Sequence, residues 1–474
     1  MSIITPILLA GGSGNRLWPA SRKTYPKQFI KLFSHETLFQ QSAKRFVNSE
    51  QVHFKEHITV TNSLFRFIVF EQLHNSGINP GPILIEPEAK NTASAIIAAT
   101  IIAFKENKDA ILISVPSDHV IPDINYFNDV IISGISEVKK GMIVAFGITP
   151  THPETGYGYL KLEKSENNNV KKVSLFVEKP DIKLAKKMLD DGDFLWNSGI
   201  FMFRAKDIIN AFELYATDTL SFVRKAIELS VNDMDFIRLD SKYWSRLNDI
   251  SIDHAIMEKI KNLVAIPYNS TWSDLGNWNS VWSETKKNKN GVALSKNAHA
   301  IDCKNSLLRS ENETQHVVGL GLQNIVAIAM PDAVLVANKN KSQDVKNIVE
   351  YLKLQNISQS EAFPKEHRPW GWFENLVLGQ GFLVKKIYVK PGASLSLQSH
   401  KYRSEHWVVV NGTAKIIIDE IEKIVEEGQS LFVPVGSIHR LENPKDIPTI
   451  IIEIQIGNIL SEEDIIRYED NYNR

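Results

Sequence analysis

The stretch "ILLAGGSGNRLWPASRKTYPKQF" runs from Ile7 to Phe29. An apolar run meets Gly11, Gly12, Ser13 and Gly14, with Arg16 two residues beyond and Lys27 eleven after that. A β-rich run that ends in glycines reads as a strand turning into a loop with open backbone N–H groups. Two permanent cations beside such a loop suit a polyphosphate. A unit charge pair at about 4 Å is worth about 4 kcal/mol at an effective dielectric near 20. Arg16 and Lys27 can therefore offset much of a triphosphate's self-repulsion and the charge growing on departing pyrophosphate. The loop is not a P-loop, because no Gly-Lys-Ser/Thr follows at the right spacing. It is not a dinucleotide fingerprint either, because the third glycine is missing.

Outward from this loop, residues 1–150 alternate between short β-rich runs (3–10, 57–62, 82–86, 110–116 and 142–147) and longer segments with helical spacing. Asn91 and Thr92 read as the cap of the helix "ASAIIAATIIAFKE". Alternation of this kind predicts a parallel sheet covered by helices on both faces. Such sheets bind ligands beyond the carboxyl ends of their strands. "SVPSDHV" (114–120) ends one strand and carries Asp118; "STWSDLGNW" (270–278) carries Asp274. Either aspartate alone suits a turn. Together they offer hard oxygen ligands for Mg²⁺, which takes one or two protein carboxylates plus phosphate oxygens.

The texture changes twice further on. From 286 to 355 short strands are broken by Asn, Lys and Ser, ending in a helix-like "SQDVKNIVEYLKL". The polar stretch 356–367, with Pro364, reads as a linker. From 368 strands and glycine turns dominate, as in a small antiparallel barrel or jelly roll. The expected domains are 1–285, a connecting region at 286–355, and 368–474.

With 54 basic and 55 acidic residues, the chain has no overall field that would attract nucleic acid. Cys303 is the one cysteine, so an intramolecular disulfide is impossible and a reducing compartment fits. "IITPILLA" lacks a basic flank, and the apolar block 93–104 has about half the length of a membrane span. A cytoplasmic protein without membrane contact is the expectation.

"LLAGGSGNRLWPASRKTYPKQF", "EPEAKNTASAI", "PSDHVI", "TGYGYL", "FVEKP", "WNSGIF" and "WSDLGNW" occur in this order across about 270 residues. The series resembles the sugar-nucleotide pyrophosphorylases, and most closely the bacterial mannose-1-phosphate guanylyltransferases. Asn15 and Ala20 depart from the family's usual threonine and leucine without removing a charge. The resemblance implies an α/β Rossmann-like nucleotidyltransferase domain. It implies that Gly11, Gly12, Ser13 and Gly14 hold the nucleotide phosphates. Arg16 and Lys27 would stabilise developing pyrophosphate, and Glu86, Asn91 and Thr92 would border guanine and ribose. Asp118 and Asp274 would carry Mg²⁺, and Gly156, Glu178, Lys179 and Asn197 would hold mannose and its phosphate. The implied reaction is in-line attack of mannose-1-phosphate on the α-phosphorus of GTP, releasing pyrophosphate. Positioning and charge stabilisation dominate such a step.

"GASLSLQSHKYRSEHWVVVNG" and "GQSLFVPVGSIHRLEN" resemble the two cupin motifs, with Gln398 where many cupins have histidine. On a strand, i and i+2 face the same way, so Gln398 and His400 can point into the barrel together. Glu405 and His439 can complete a set of four that suits Zn²⁺, Mn²⁺ or Co²⁺. His406, next to Glu405, should face away. "RPWGWFE", "SLQSHKYRSEHWVVVNGTA" and "VPVGSIHRLENP" resemble the type II phosphomannose isomerase domain of bifunctional enzymes. That implies interconversion of fructose-6-phosphate and mannose-6-phosphate. Arg403 is a candidate for phosphate binding or enediolate stabilisation; Lys386, His406 and Arg440 are weaker ones, His406 leaning to a structural role, and the general base stays unnamed. The alternative is a guanylyltransferase whose cupin does not isomerise. A non-catalytic sensor of sugar nucleotides would not need Arg16, Lys27, Asp118 and Asp274 together. The strand-rich 286–355 segment could mediate contacts in a homodimer.

Overall fold

The structure, a computed structural model, describes residues 1–12, 14, 16–163, 170–470 and 472. The chain divides into two compact units, Met1–Glu361 and Ala362–Arg474.

In the first unit, twelve strands among the described residues join in one sheet. The strand Ser2–Leu9 lies between Ile58–Asn62 and Ile111–Pro116, parallel to both, with Leu9 level with Val60 and Pro116. Ile83–Glu86 extends the parallel set on one side. On the other, Phe194–Arg204 runs antiparallel to Ile111–Pro116, followed by the parallel pair Ile143–Ile148 and Leu263–Tyr268. These strands are continuous apolar runs because both sheet faces are covered. Helix Asn91–Glu106 packs one face together with Ala205–Tyr215 and Thr217–Glu228. Helix Ile124–Lys139 packs the other.

Leu9, Glu86, Pro116, Ile148 and Tyr268 all end strands at the same sheet edge. The antiparallel strand brings its opening residues to that edge, with Asn197 opposite Gly147 and Trp196 opposite Ile148. Glycine loop, carboxylates and Asn197 are thereby gathered. The Asn91–Thr92 cap differs from expectation: the helix already includes Asn91, which holds φ 62°, and Lys90 precedes it. Asparagine tolerates this left-handed position, and the Thr92 hydroxyl turns outward to accept the Ile252 N–H at 2.9 Å.

Residues 293–329 form stacked parallel coils, closed by the antiparallel strand Val334–Asn338. Ala293–Leu294, Leu307–Ser310 and Ile325–Ala329 pair in parallel, as do Ala298–Ile301 and Val317–Leu320. The asparagines and aspartates that interrupt the sequence are the corners: Asp302, Asn305 and Asn324 all hold left-handed backbone. This coil braces the loop that follows the glycines. The Arg22 guanidinium, fully buried, forks onto both Asp332 carboxylate oxygens at 2.6 Å. Arg309 donates to the carbonyls of Leu32 and Lys31 at 2.6 and 2.8 Å. The stretch before Glu361 also packs here, the Trp18 indole donating to the Gln359 carbonyl at 2.9 Å.

The second unit is a jelly roll. One sheet orders Lys365–Arg368, Gly371–Gly379, Phe382–Val389, Thr449–Gly457, Arg403–Asn411 and Ser430–Val433. The other orders Ile421–Glu426, Thr413–Ile418, His439–Glu442, Leu397–His400 and Ile465–Glu469. Burial alternates along the inner strands, and Trp370, Phe373, Trp407, Val409 and Ile451 fill one end of the barrel. Among the described residues no helix is long and apolar enough to cross a membrane.

Candidate functional site

Lys27 opens a short turn, Lys27–Phe29, whose other two residues fix its direction. Phe29 is fully buried against Phe39 and Phe65, centroids 5.8 and 5.5 Å away. That burial is worth about 1.5–3 kcal/mol. The Gln28 amide donates to the carbonyls of Ala10 and Gly12 at 3.3 and 2.9 Å, tying the turn to the glycine loop. Lys27 therefore projects into the cleft, its ammonium 2.9 Å from Asp118 Oδ2 and donating to the Asp274 backbone carbonyl. Burial works to raise the Asp118 carboxyl, but the Lys27 charge and hydrogen bond outweigh it and hold it below the usual range. Asp274 Oδ1 accepts from the Tyr157 hydroxyl at 2.7 Å and the Gly276 N–H at 3.0 Å. Burial and the Asp274 charge push the Tyr157 phenol up; the Arg16 charge acts on it in the opposite sense. Arg16 itself is exposed at the loop. Ser13 lies outside the described residues.

Glu86 ends its strand beneath the glycine loop. A Cβ at Gly11 would meet Glu86 Oε2 at 2.9 Å, so a larger residue there would displace the carboxylate. Glu86 Oε1 is buried without a hydrogen-bond partner, and burial pushes the carboxyl up to about 8. Gly11, Gly12, Glu86, Asn91, Thr92 and Asp118 line a cleft of about 370 Å³, a volume suited to a nucleoside. A larger hollow, about 810 Å³, opens at the opposite sheet edge beside Ser2, Lys55 and Glu106. None of the residues above lines it.

Beyond Asp274, the Gly156 N–H donates to Glu154 at 2.8 Å, and the Lys179 ammonium pairs with Glu178 at 2.7 Å. The Asn197 amide donates to Asp253 at 2.8 Å. Burial, then the Glu178 charge, raises Asp253 to about 6. Tyr157 and Asp253 were not singled out in the sequence. Tyr157 sits inside the quoted "TGYGYL" motif, but nothing in its spacing marks a partner for Asp274.

The barrel groups are built by strand alternation. His400, Glu405 and His439 offer ligand atoms that all lie within 4.8 Å of one another, and all three are buried. His400 Nδ1 faces the Asp464 carbonyl at 3.3 Å and His439 Nδ1 the Ser437 carbonyl at 2.9 Å. Those contacts fix both rings with Nε2 toward Glu405, at 3.0 and 3.7 Å. His439 Nε2 is buried with no hydrogen-bond partner. Gln398 pairs with His439 across the strands, its side-chain oxygen accepting from Ser396 at 2.9 Å. An orphaned imidazole nitrogen beside a second imidazole and a carboxylate fits a first-row divalent metal. Arg403 lies across Glu405, donating to it at 3.1 Å. Burial works to raise Glu405, but the His400 hydrogen bond and the His400, His439 and Arg403 charges outweigh it and lower the carboxyl.

The inner wall continues with residues the sequence did not flag. Lys385, Glu453, Gln455 and Glu462 line the same cleft as Gln398, Arg403 and Glu405. With Arg403 on Glu405 the cleft holds about 40 Å³, roughly one water. Lys386 points to the outer face, its ammonium 5.8 Å from the Trp372 ring centre, and Arg440 pairs with Glu469 at 2.7 Å. The inward lysine is its neighbour, Lys385, because a shift of one residue changes the strand face. His406 sits on the outer side against Phe432. The signal for Glu453 and Gln455 was available: "TIIIEIQI" places two polar residues at alternate positions of an apolar strand.

Three family models match in series. They are Nucleotidyl transferase over residues 5–291, MannoseP isomerase/GMP-like beta-helix domain over 296–352, and Mannose-6-phosphate isomerase C-terminal over 355–470. A mannose-1-phosphate guanylyltransferase of Sinorhizobium fredii is 41% identical over 470 residues, covering 98% of this chain and 91% of its own length. The chain belongs to the mannose-1-phosphate guanylyltransferase family. Xanthan biosynthesis protein XanB of Xanthomonas campestris is 40% identical over the full length of both chains. The guanylyltransferase likeness extends through the barrel. The solved mannose-6-phosphate isomerase of Helicobacter pylori is 33% identical with TM-score 0.50, covering 57% of this chain and 99% of its own. The cupin expectation and the nucleotidyltransferase expectation are both met.

Proposed function

We propose that the first unit transfers GMP from GTP to mannose-1-phosphate, releasing pyrophosphate, and that the barrel interconverts fructose-6-phosphate and mannose-6-phosphate. The observation that carries the transferase reading is the Lys27 ammonium, held between Asp118 and the Asp274 carbonyl at the mouth of the glycine loop. Gly11, Gly12 and Gly14, with Ser13, take the phosphates. Glu86, Asn91 and Thr92 border guanine and ribose; Gly156, Glu178, Lys179 and Asn197 hold mannose-1-phosphate. Asp118 and Asp274 are the residues that would hold Mg²⁺, which supplies positive charge to the phosphates when bound. On nucleotide binding Lys27 exchanges the Asp118 carboxylate for phosphate oxygen, and Arg16 closes from solvent onto the departing pyrophosphate. The attacking phosphate is already ionised, so these residues orient and neutralise rather than move a proton.

In the barrel, Gln398, His400, Glu405 and His439 would hold Zn²⁺, Mn²⁺ or Co²⁺, which polarises sugar oxygens as a Lewis acid when bound. Arg403 leaves Glu405 to meet the sugar phosphate as the cleft opens. The domain division proposed is 1–285 for the transferase, 286–355 for the coil with its helix, 356–367 for a linker whose last residues enter the barrel sheet in the strand Lys365–Arg368, and 368–474 for the isomerase. Exposed Ile301, Val318 and Leu320 on the outer coil face support a homodimer, which sedimentation would test. The single cysteine supports a cytoplasmic setting. Purified protein given GTP, mannose-1-phosphate and Mg²⁺ releases pyrophosphate, and chelator abolishes the release. Absence of release would refute the transferase. A coupled assay with mannose-6-phosphate tests the isomerase in the same way.

A further inference from the structure

The strand Thr449–Gly457 carries Thr449, Ile451, Glu453 and Gln455 on its buried side. Glu453 stands level with Lys385 on one neighbouring strand and Trp407 on the other. Gln455 stands level with Glu405. The Gln455 amide donates to Glu453 Oε1 and, at 3.2 Å, to Glu405 Oε1. Glu453 is thus one hydrogen-bonded side chain away from the candidate ligand set, inside the same cleft and outside the set itself. Arg368, Lys385 and Arg467 line that cleft as well, all three within 4 Å of the single carboxylate of Glu462. Glu366 also pairs with Arg368, at 2.8 Å, so three cations face two acids and leave one positive charge for a phosphate.

We propose that Glu453 is the group that carries the proton between C1 and C2 of the sugar phosphate. This rests on the isomerase reading of the barrel. Elimination supports it. Arg403 stays protonated and cannot take a proton. His400 and His439 are held by backbone carbonyls at Nδ1 and turned to the ligand set at Nε2. Glu405 belongs to that set, and Glu462 is engaged by the three cations. Among the described carboxylates lining the cleft, Glu453 remains. In the step, Glu453 takes the hydrogen on C2 of open-chain mannose-6-phosphate as a proton. The C–H electron pair forms the C1=C2 bond, and the C1 carbonyl oxygen takes up the charge. The proton on O2 passes to O1, the C2 carbonyl forms, and Glu453 returns its proton to C1. C1 is reduced and C2 oxidised by the same electron pair, so no outside reductant or oxidant is required. The Gln455 amide holds the carboxylate in place through both transfers.

The test uses full-length protein loaded with its barrel metal and mannose-6-phosphate in D₂O. Wild type forms fructose-6-phosphate and exchanges the C2 hydrogen, followed by NMR. Glu453→Gln is expected to lower both rates by about 10²–10⁴, the usual share of a general base. Its metal content by elemental analysis and its GDP-mannose formation stay at wild-type levels. A merely structural Glu453 would instead lower metal content or melting temperature and leave exchange per bound metal unchanged, which would overturn the proposal. If Glu453→Gln does not hold metal, Glu453→Asp is judged by the same exchange rate per bound metal, with a loss of at least about tenfold expected. Wild-type protein that makes GDP-mannose but neither interconverts nor exchanges would overturn the isomerase reading, and Glu453's role with it. An active wild type with an equally active, metal-loaded Glu453→Gln would overturn the role of Glu453 alone.

Discussion

The transferase cleft and the barrel cleft assemble charge in opposite ways. The cleft at the sheet edge is made by loops that leave strand ends, with Lys27, Asp118 and Asp274 contributed by segments about 90 and 150 residues apart. Asp118 and Asp274 already have cationic or hydroxyl partners, and the cleft's volume is open to a nucleoside. The barrel cleft is made by strand interiors, with Lys385 level with Glu453 and Glu405 level with Gln455 on adjacent strands. It is nearly closed. Edge loops can be rearranged by a ligand at small cost, whereas groups on paired strands keep their spacing. The first arrangement suits gathering a flexible triphosphate; the second suits holding a proton carrier at a fixed distance from a sugar carbon.

The comparison breaks if one cleft cannot be disabled without the other. The largest effect is expected from His400→Ala. It should empty the barrel of metal by elemental analysis and lower isomerase rate by several kcal/mol of lost polarisation, a factor of about 10³. GDP-mannose formation should be unchanged. Lys27→Ala should lower transferase rate by about 10²–10³, the range for one lost transition-state donor, with isomerase intact. An equal fall in isomerase would end the two-site view. Asp332→Ala strips a buried guanidinium of its carboxylate. It should destabilise the first unit by about 3 kcal/mol, the low end because a quarter of the Asp332 side chain meets water. A thermal scan would register it, with the barrel's own transition unmoved.

A pH dependence sharpens the picture of the base pocket. Burial in the fold pushes the Glu86 carboxyl from its ordinary value of 4.5 up to about 8. Between those values the native state holds the extra proton, so stability falls as pH rises, by up to about 1.4 kcal/mol per pH unit. Glu86→Gln should flatten the fall in melting temperature between pH 5 and 8. A variant with the same slope as wild type would show that Glu86 is already charged in the fold.

Most of the architecture was readable from the chain because strand runs and glycine motifs fall at one sheet edge in any doubly covered parallel sheet. Asp118 could be placed there from "SVPSDHV" alone. The partner of Asp274 could not, since Tyr157 comes from a distant turn and only the folded sheet brings the hydroxyl to 2.7 Å. In the barrel, period-two alternation puts Gln398 with His400 and turns His406 outward; the same alternation makes Lys385, not Lys386, the inward lysine. Applied to "TIIIEIQI", the same alternation would have found Glu453. The role of the coil was invisible: Asp332 looks like an ordinary turn residue until Arg22 is seen buried against it.

That buttress sets a limit on dissection. A protein cut after residue 285 would keep every side chain assigned to nucleotide and mannose, yet would leave Arg22 and the carbonyls of Lys31 and Leu32 without their braces. Minimal transferase fragments of this chain should therefore extend at least through Asp332, and shortening them further would loosen Lys27 before it touched the sheet.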